Sequence, residues 1–192
     1  MKKNGLLSPE NCCLQIIDIQ ESLMAKIHRA EEVSAATELM VHCAKILEMP
    51  AFANTQYKKG LGPYVASIEP LIRDLPQFDK VEFNALANAE TASFIDTLPK
   101  KVTTMVLVGV ETHICIYQTA VGLLTKGYSV WIVSDGVSSR SELNHQQGLY
   151  RLQKMGAVVG SAEMLIYELL GKAGTSTFKA MLPHIIKRAT ST

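Results

Sequence analysis

Three residues with the side chains needed for nucleophilic catalysis lie near predicted strand ends. Asp18 ends an apolar run, Lys80 lies at the start of the short run 80–83, and Cys115 follows the run 105–110. A carboxylate can act as a general base for a thiol, and an ammonium group can stabilise a thiolate and an oxyanion. Each residue also has an ordinary role, as a helix cap, a surface lysine or a packed cysteine. Only the combination of the three indicates catalysis.

Cys115 is the leading candidate nucleophile. It lies in the first turn of a helix predicted over 112–126, which Gly127 ends. The positive end of the helix dipole and the unpaired N–H groups of that turn favour thiolate, so we expect the pKa of this thiol to be lowered. The alternative is that Cys115 packs in the core, which is the commoner fate of a free cysteine.

Apolar strands alternate with amphipathic helices along the whole chain. Near-continuous apolar strands indicate a parallel sheet with helices on both faces, and such sheets bind ligands beyond the carboxyl ends of their strands. Asp18, Cys115 and Asp135 fall at such ends, whereas Lys80 lies at the start of its strand. The strands are predicted at 13–18, 51–55, 80–83, 105–110, 128–135 and 157–160, and the helices at 31–49, 91–98, 112–126, 141–155 and 161–170.

Length and composition favour one intracellular domain. The 192 residues suit a single domain, and the net charge of +1, without blocks of like charge, indicates neither a nucleic-acid nor a membrane partner. The 47% hydrophobic content mildly favours a homo-oligomer. No signal peptide, transit peptide or membrane span is recognisable, so the cytoplasm is the expected location, with mitochondria left open.

The four cysteines do not indicate a disulfide framework or a zinc site. Cys12 and Cys13 are adjacent, Cys43 lies on an apolar helical face, and no Cys-x-x-Cys occurs. His113 lies two residues from Cys115, a spacing that places the two on different sides of a helix, so we expect it to be structural.

The residues that surround these positions resemble the isochorismatase-like cysteine hydrolases, over about residues 11–170. The resemblance rests on Asp18-Ile19-Gln20, Lys80-Val81-Glu82-Phe83, the most specific string, Gly109-Val110-Glu111-Thr112-His113-Ile114-Cys115, and shorter matches downstream. It implies a three-layer α/β/α sandwich with a six-stranded parallel sheet and an Asp18/Lys80/Cys115 triad. It also implies a cis peptide at Val110–Glu111 and an oxyanion hole formed by the backbone N–H groups of Glu111 and Cys115.

The chemistry implied by this resemblance is hydrolysis of a small carboxamide through a thioester. Nicotinamidases of the family carry an Asp and histidines after the second strand that bind a metal, whereas this chain has Asn54-Thr55-Gln56 there. A metal-assisted nicotinamidase is therefore disfavoured, and we expect no cofactor. Isochorismatase itself does not need the cysteine, so Cys115 argues against that activity.

Two other functions remain as alternatives: a catalytically silent binding protein and a thiol redox protein. A dinucleotide-binding domain is disfavoured because no Gly-x-Gly-x-x-Gly follows the first strand.

The domain is expected to span residues 1–174, and residues 175–192 to form an amphipathic tail. Phe178, Met181, Leu182, Ile185 and Ile186 share one helical face of this tail, and Pro183 should kink or divide it. We expect the face to dock on a neighbouring subunit; the alternative is that it packs within its own domain.

Overall fold

The computed structural model describes residues 5–189 and contains one six-stranded, entirely parallel sheet. The strand order is β3-β2-β1-β4-β5-β6, which places β1 and β4 at the centre. The strands are β1 (Cys12–Ile17), β2 (Ala51–Gln56), β3 (Gln77–Lys80), β4 (Thr104–Val110), β5 (Ser129–Ser138) and β6 (Val158–Gly160).

Helices cover both faces of this sheet, and the predicted fold class is confirmed. A large apolar cluster on one face joins α2, α4, α8 and α9, and a second cluster on the other face joins α5, α6 and α7. The helices are α1 (Glu21–Met24), α2 (Ala30–Ile46), α3 (Lys58–Leu61), α4 (Glu69–Ile72), α5 (Ala89–Thr97), α6 (Tyr117–Thr125), α7 (Glu142–Lys154), α8 (Ala162–Leu170) and α9 (Ser176–Ala189).

The two central strands are buried along their full length, which explains why the sequence is apolar there without alternation. All six residues of β1 and all seven of β4 are buried. Alternate residues of β1 enter opposite clusters: Ile16 joins the α2 side and Ile17 the α6 side. The sheet therefore separates two cores, and side chains at its carboxyl edge can reach either face.

The third strand lies earlier in the chain than predicted. Gln77–Lys80 pairs with β2, and the strand ends at Lys80 instead of beginning there. The prediction was wrong because Val81 and Phe83 are apolar and resemble strand residues in the sequence. In the structure Val81 is 67% exposed and Phe83 is 52% exposed. The corrected boundary places Lys80 at the carboxyl end, with Asp18 and Cys115.

The helix predicted over 112–126 has two parts. Thr112–Ile116 forms a π-helical turn, and α6 continues from Tyr117. Cys115 therefore lies in the wider turn that precedes the regular helix, a feature frequently found at functional sites.

The C-terminal helix α9 packs within its own domain. Met181 is fully buried and Ile185 is 8% exposed, both in the cluster that contains α2 and α8. The Arg188 side chain pairs with Asp135 of β5. This is the packing stated above as the alternative to docking on a neighbour. Pro183 lies inside the helix, which is not divided there, and tail residues 190–192 lie outside the described residues.

Across residues 5–189, no helix is both long enough and apolar enough to cross a membrane. All four cysteines are buried with free thiols.

Candidate active site

The fold brings Asp18, Lys80 and Cys115 together at the carboxyl edge of the sheet. Lys80 Nζ donates to Asp18 Oδ2 over 2.8 Å, and the pKa of the Cys115 thiol responds to the charges of both residues. Asp18 is 0% exposed, Lys80 is 1% exposed and Cys115 is 6% exposed. A base, a cation and a thiol therefore share one nearly closed site.

Two backbone features position Asp18. The first is its left-handed conformation, with φ 56°, which follows directly after β1 and turns the chain out of the strand. The second is Gly109, which lies opposite Ile17 with φ 124°. A Cβ atom on Gly109 would lie 1.9 Å from the Ile17 carbonyl oxygen, so only glycine allows β1 and β4 to approach this closely.

Glu111 connects the end of β4 to the π-helical turn Thr112–Ile116. The Val110–Glu111 peptide bond is cis. The Glu111 backbone acts to lower the pKa of the Cys115 thiol. The Glu111 carboxylate accepts from the backbone N–H and the Nε–H of Arg140, which holds the loop after β5 against the site.

The net effect on the thiol is the opposite of the sequence expectation. Burial is the largest influence and raises the pKa of Cys115 far above its usual value, and the negative charge of Asp18 raises it further. Lys80 and the Glu111 backbone act in the lowering direction but do not outweigh burial. The depth of the sulfur cannot be predicted from local spacing, so the expectation of a lowered pKa was wrong. Cys115 rests as a thiol that needs a base.

Asp18 carries an unused acceptor. Burial raises the pKa of its carboxyl group, while Lys80 and the neighbouring Cys115 thiol oppose that rise. Oδ2 is bound to Lys80, whereas the buried Oδ1 has no close partner among the described residues. An oxygen that a thiol proton can reach is what a general base requires.

The comparisons with known proteins identify the family. The Isochorismatase domain family model matches residues 12–164. A secreted isochorismatase effector of Phytophthora sojae is 35% identical over 183 residues, covering 94% of this chain and 87% of the relative. The chain belongs to the isochorismatase family.

Solved structures of the isochorismatase fold superpose closely. A structure described as MAR1 ribonuclease from Caenorhabditis elegans has a TM-score of 0.87 and 31% identity, covering 95% of this chain and 93% of that one. The YcaC protein of Escherichia coli, described as an octameric hydrolase of unknown specificity, has a TM-score of 0.86 at 18% identity, covering 100% and 98%. The second likeness concerns the fold alone.

Sequence reasoning missed Gln56, the last residue of β2. Its Oε1 accepts from Lys80 Nζ at 2.6 Å and lies 3.9 Å from Cys115 Sγ. Gln20 holds its backbone: Gln20 Oε1 accepts from the Gln56 N–H at 2.7 Å, and Gln20 Nε2 donates to the Gln56 carbonyl at 3.2 Å. The available signal was position, because Gln56 ends a buried strand, and parallel sheets bind ligands at the carboxyl ends of their strands.

Two histidines near the site have structural partners. His113 Nδ1 lies 2.9 Å from Ser139 Oγ, and His145 Nδ1 lies 2.9 Å from Thr112 Oγ1. These contacts join the π-helical turn to the loop and helix that follow β5. Asp135, which the sequence placed at a strand end, lies within β5, where it accepts from the Ala162 N–H and pairs with Arg188.

The place where the family's nicotinamidases bind metal does not fit a metal here. The Asn54 amide is hydrogen-bonded to Gln15 and Thr91 in a buried network, and Gln56 Oε1 accepts a hydrogen bond from Lys80. Residues 5–189 contain no group of three or more His, Cys, Asp and Glu side chains that could hold a metal ion. Amides that already have partners are poor substitutes for the carboxylate and imidazole ligands of such metals.

Proposed function

We propose that this isochorismatase-family protein is a metal-independent cysteine hydrolase that cleaves the carboxamide C–N bond of a small molecule. The contact between Asp18 and Lys80, 2.8 Å long and beside the Cys115 thiol, is the observation that carries this proposal. Because the three residues are nearly closed to solvent, only a small group can reach the sulfur.

The first half of the reaction forms a thioester. Asp18 takes the Cys115 proton as the sulfur attacks the carbonyl carbon, because the raised pKa of the thiol leaves little thiolate at rest. The backbone N–H groups of Glu111 and Cys115, with Lys80, stabilise the oxyanion. Asp18 then gives its proton to the nitrogen, the C–N bond breaks, and ammonia or an amine leaves.

The second half restores the enzyme. Asp18 takes a proton from water as the water oxygen attacks the thioester carbonyl, and the same donors stabilise the second oxyanion. Breakage of the C–S bond releases a carboxylic acid, and the sulfur regains its proton from Asp18. The sum is one amide and one water converted to an acid and an amine.

The two alternatives predicted from sequence have less support. A redox-sensing thiol is typically exposed and has a lowered pKa, whereas Cys115 is 6% exposed and its pKa is raised. A catalytically silent protein has no need to keep an ammonium group and a carboxylate buried beside a thiol, since burial of charge is costly. The name of the C. elegans relative makes RNA a further substrate to assay, although a nearly closed thiol suits a small acyl group better.

Assembly and location are part of the proposal. The octameric E. coli neighbour and the apolar composition support a homo-oligomer. The cytoplasm is the compartment we propose, since four free cysteines suit a reducing environment.

The experiment is a substrate screen with two cysteine variants as controls. Small carboxamides and ureides, with an RNA arm, are incubated with wild type, Cys115→Ala and Cys115→Ser, and released ammonia or amine is measured. We expect turnover of at least one amide by wild type alone, and an acyl adduct on Cys115 in acid-quenched mass spectra. Equal turnover by Cys115→Ala, or RNA cleavage without amide cleavage, would reject the proposal.

A further inference from the structure

We propose that Gln56 is a positioning residue of the same reaction: it fixes the Lys80 ammonium by a neutral contact, so that one N–H is aimed at the oxyanion. The inference rests on the proposed function and adds a fourth side chain to the triad. Its basis is the position of the Gln56 amide between Lys80 Nζ and the Cys115 sulfur.

The orientation of the Gln56 amide follows from its partners. Oε1 lies 2.6 Å from Lys80 Nζ, and Nε2 donates to the Val81 carbonyl at 2.8 Å. The reversed amide would place a donor against an ammonium group and an acceptor against a carbonyl oxygen. The oxygen therefore faces the lysine and the sulfur.

The backbone of Gln56 is held as firmly as its side chain. The fully buried Gln20 side chain pairs with both the N–H and the carbonyl of Gln56, and it also donates to the Gly62 carbonyl at 2.8 Å. Gln20 in turn stands two residues after Asp18. Asp18, the proposed base, and the Gln56 backbone are thus linked through the buried side chain of Gln20.

This contact directs the lysine. An ammonium group has three N–H donors, and in the described part of the chain Asp18 and Gln56 accept from two of them. Two fixed donors determine the direction of the third, which is left for the charge that develops on the substrate. Without Gln56, the ammonium would rotate about its single contact with Asp18.

The neutrality of Gln56 is as important as its shape. A glutamate there would give Lys80 two carboxylate partners and place a negative charge about 4 Å from the sulfur, a distance set by the 3.9 Å contact. That charge would oppose both the thiolate and the oxyanion. A protonated glutamic acid, by contrast, would reproduce the glutamine contacts, with its carbonyl towards Lys80 and its hydroxyl towards Val81.

The test compares Gln56→Met and Gln56→Glu with a matched control, Gln15→Met. Gln15 is also a fully buried glutamine, but its amide contacts Asn54 and not the triad. Two readouts are used across pH 5 to 10: kcat/KM on the amide that wild type hydrolyses fastest, and the rate of Cys115 alkylation by iodoacetamide, located by mass spectrometry.

For Gln56→Met we expect kcat/KM to fall about 10- to 100-fold, while Cys115 alkylation is not slowed. For Gln56→Glu we expect both rates to fall at neutral pH and to approach the wild-type rates as the pH is lowered. The control should keep both rates within about twofold. A Gln56→Met variant with wild-type kcat/KM, or pH profiles of Gln56→Glu that superpose on wild type, would overturn the inference.

The two proposals fail differently. If wild type hydrolyses no amide, the proposed function is rejected, whereas the alkylation profile of Gln56→Glu still decides whether Gln56 governs the charge at the sulfur. If Gln56→Met does not fold by circular dichroism, the isosteric Gln56→Glu variant decides alone.

Discussion

Lys80 Nζ and Asp18 Oδ2 lie 2.8 Å apart, and neither side chain is accessible to solvent. Burial of either charge alone would be costly, and the pair is tolerable because each residue is the other's counter-ion. The contact that carries the proposed function therefore also supports the fold, so a variant of Lys80 is expected to change two measurable properties.

Replacement of Lys80 with Met should reduce both turnover and stability. Loss of an oxyanion donor costs about 2.7–4 kcal/mol of transition-state stabilisation. Removal of one partner of a buried pair costs about 3–5 kcal/mol of folding free energy. Urea unfolding and steady-state kinetics measure the two effects. The double variant Asp18→Asn/Lys80→Met should recover much of the stability without activity, and an active Lys80→Met protein would contradict the assigned role.

Iodoacetamide should alkylate Cys115 before Cys12, Cys13 or Cys43 in the native protein. The pKa of all four thiols is raised by burial, but Cys115 is 6% exposed whereas the other three are fully buried. The absolute rate should be slow at pH 7 and rise with pH. Peptide mapping after partial labelling gives the order of modification; Cys115 modified last would count against its role as nucleophile.

Turnover should persist after exhaustive dialysis against EDTA. The amides of Asn54 and Gln56, in the carboxyl half of β2, have protein partners, so the reaction is expected to proceed through the thiol alone. The measurement is kcat before and after chelation, then with zinc, manganese or iron restored. Activity lost on chelation and regained with one of these metals would show that the metal-independent proposal is wrong.

Stability should decrease as the pH falls through about 6.5, partly because of His42. The ring of His42 on α2 stacks on His184 of α9, with centroids 3.9 Å apart. Burial, followed by the charge of His184, lowers the pKa of His42 below 6.5; Lys45 and Lys187 act in the same direction and Glu38 opposes them. The unfolded chain therefore binds more protons than the folded chain in this window, which favours unfolding.

Urea midpoints at pH 7.5 and pH 5.0 test this effect. The difference between the two midpoints should shrink in His42→Gln. An equal difference in wild type and in His42→Gln would remove His42 as a cause.

Deletion of the chain after Gly174 should destabilise the domain itself. The deletion removes Met181 and Ile185 from the core and the Arg188–Asp135 pair, whose atoms lie 2.6 Å apart. Met181→Ala is the finer variant, with an expected loss of about 2–5 kcal/mol. Thermal unfolding followed by circular dichroism measures both. An unchanged midpoint with a smaller oligomer in light scattering would instead favour the subunit contact expected from sequence.

Much of the fold could be predicted from the chain because it depends on local pattern. The apolar runs of β1 and β4 and the helical spacing of α2 and α8 indicate their elements within a few residues. The third strand was misplaced because exposed Val81 and Phe83 look like core residues in a one-dimensional pattern.

The site was predictable in residue type but not in electrostatics. Asp18 and Cys115 were identified because they fall at predicted strand ends, and Lys80 because its ammonium complements them and matches the family resemblance, whereas Gln56 is an ordinary polar residue until its contacts are known. The pKa of Cys115 depends on how deeply the sulfur is buried, and the tail's place depends on whether α2 and α8 leave an apolar groove. Both are properties of the packed structure, which spacing along the chain does not encode.

The left-handed conformation of Asp18 gives this position a second requirement, independent of its charge. Aspartate and asparagine are among the few residues other than glycine that adopt this region readily, because their short polar side chains bond to nearby backbone groups. An alanine there would lose a residue suited to this turn as well as the carboxylate, and a glutamate would be less suited to the turn than aspartate. Position 18 therefore has a backbone requirement beside its proposed role in proton transfer. Under the proposed function, changes in substrate size are expected to come from the surrounding loops.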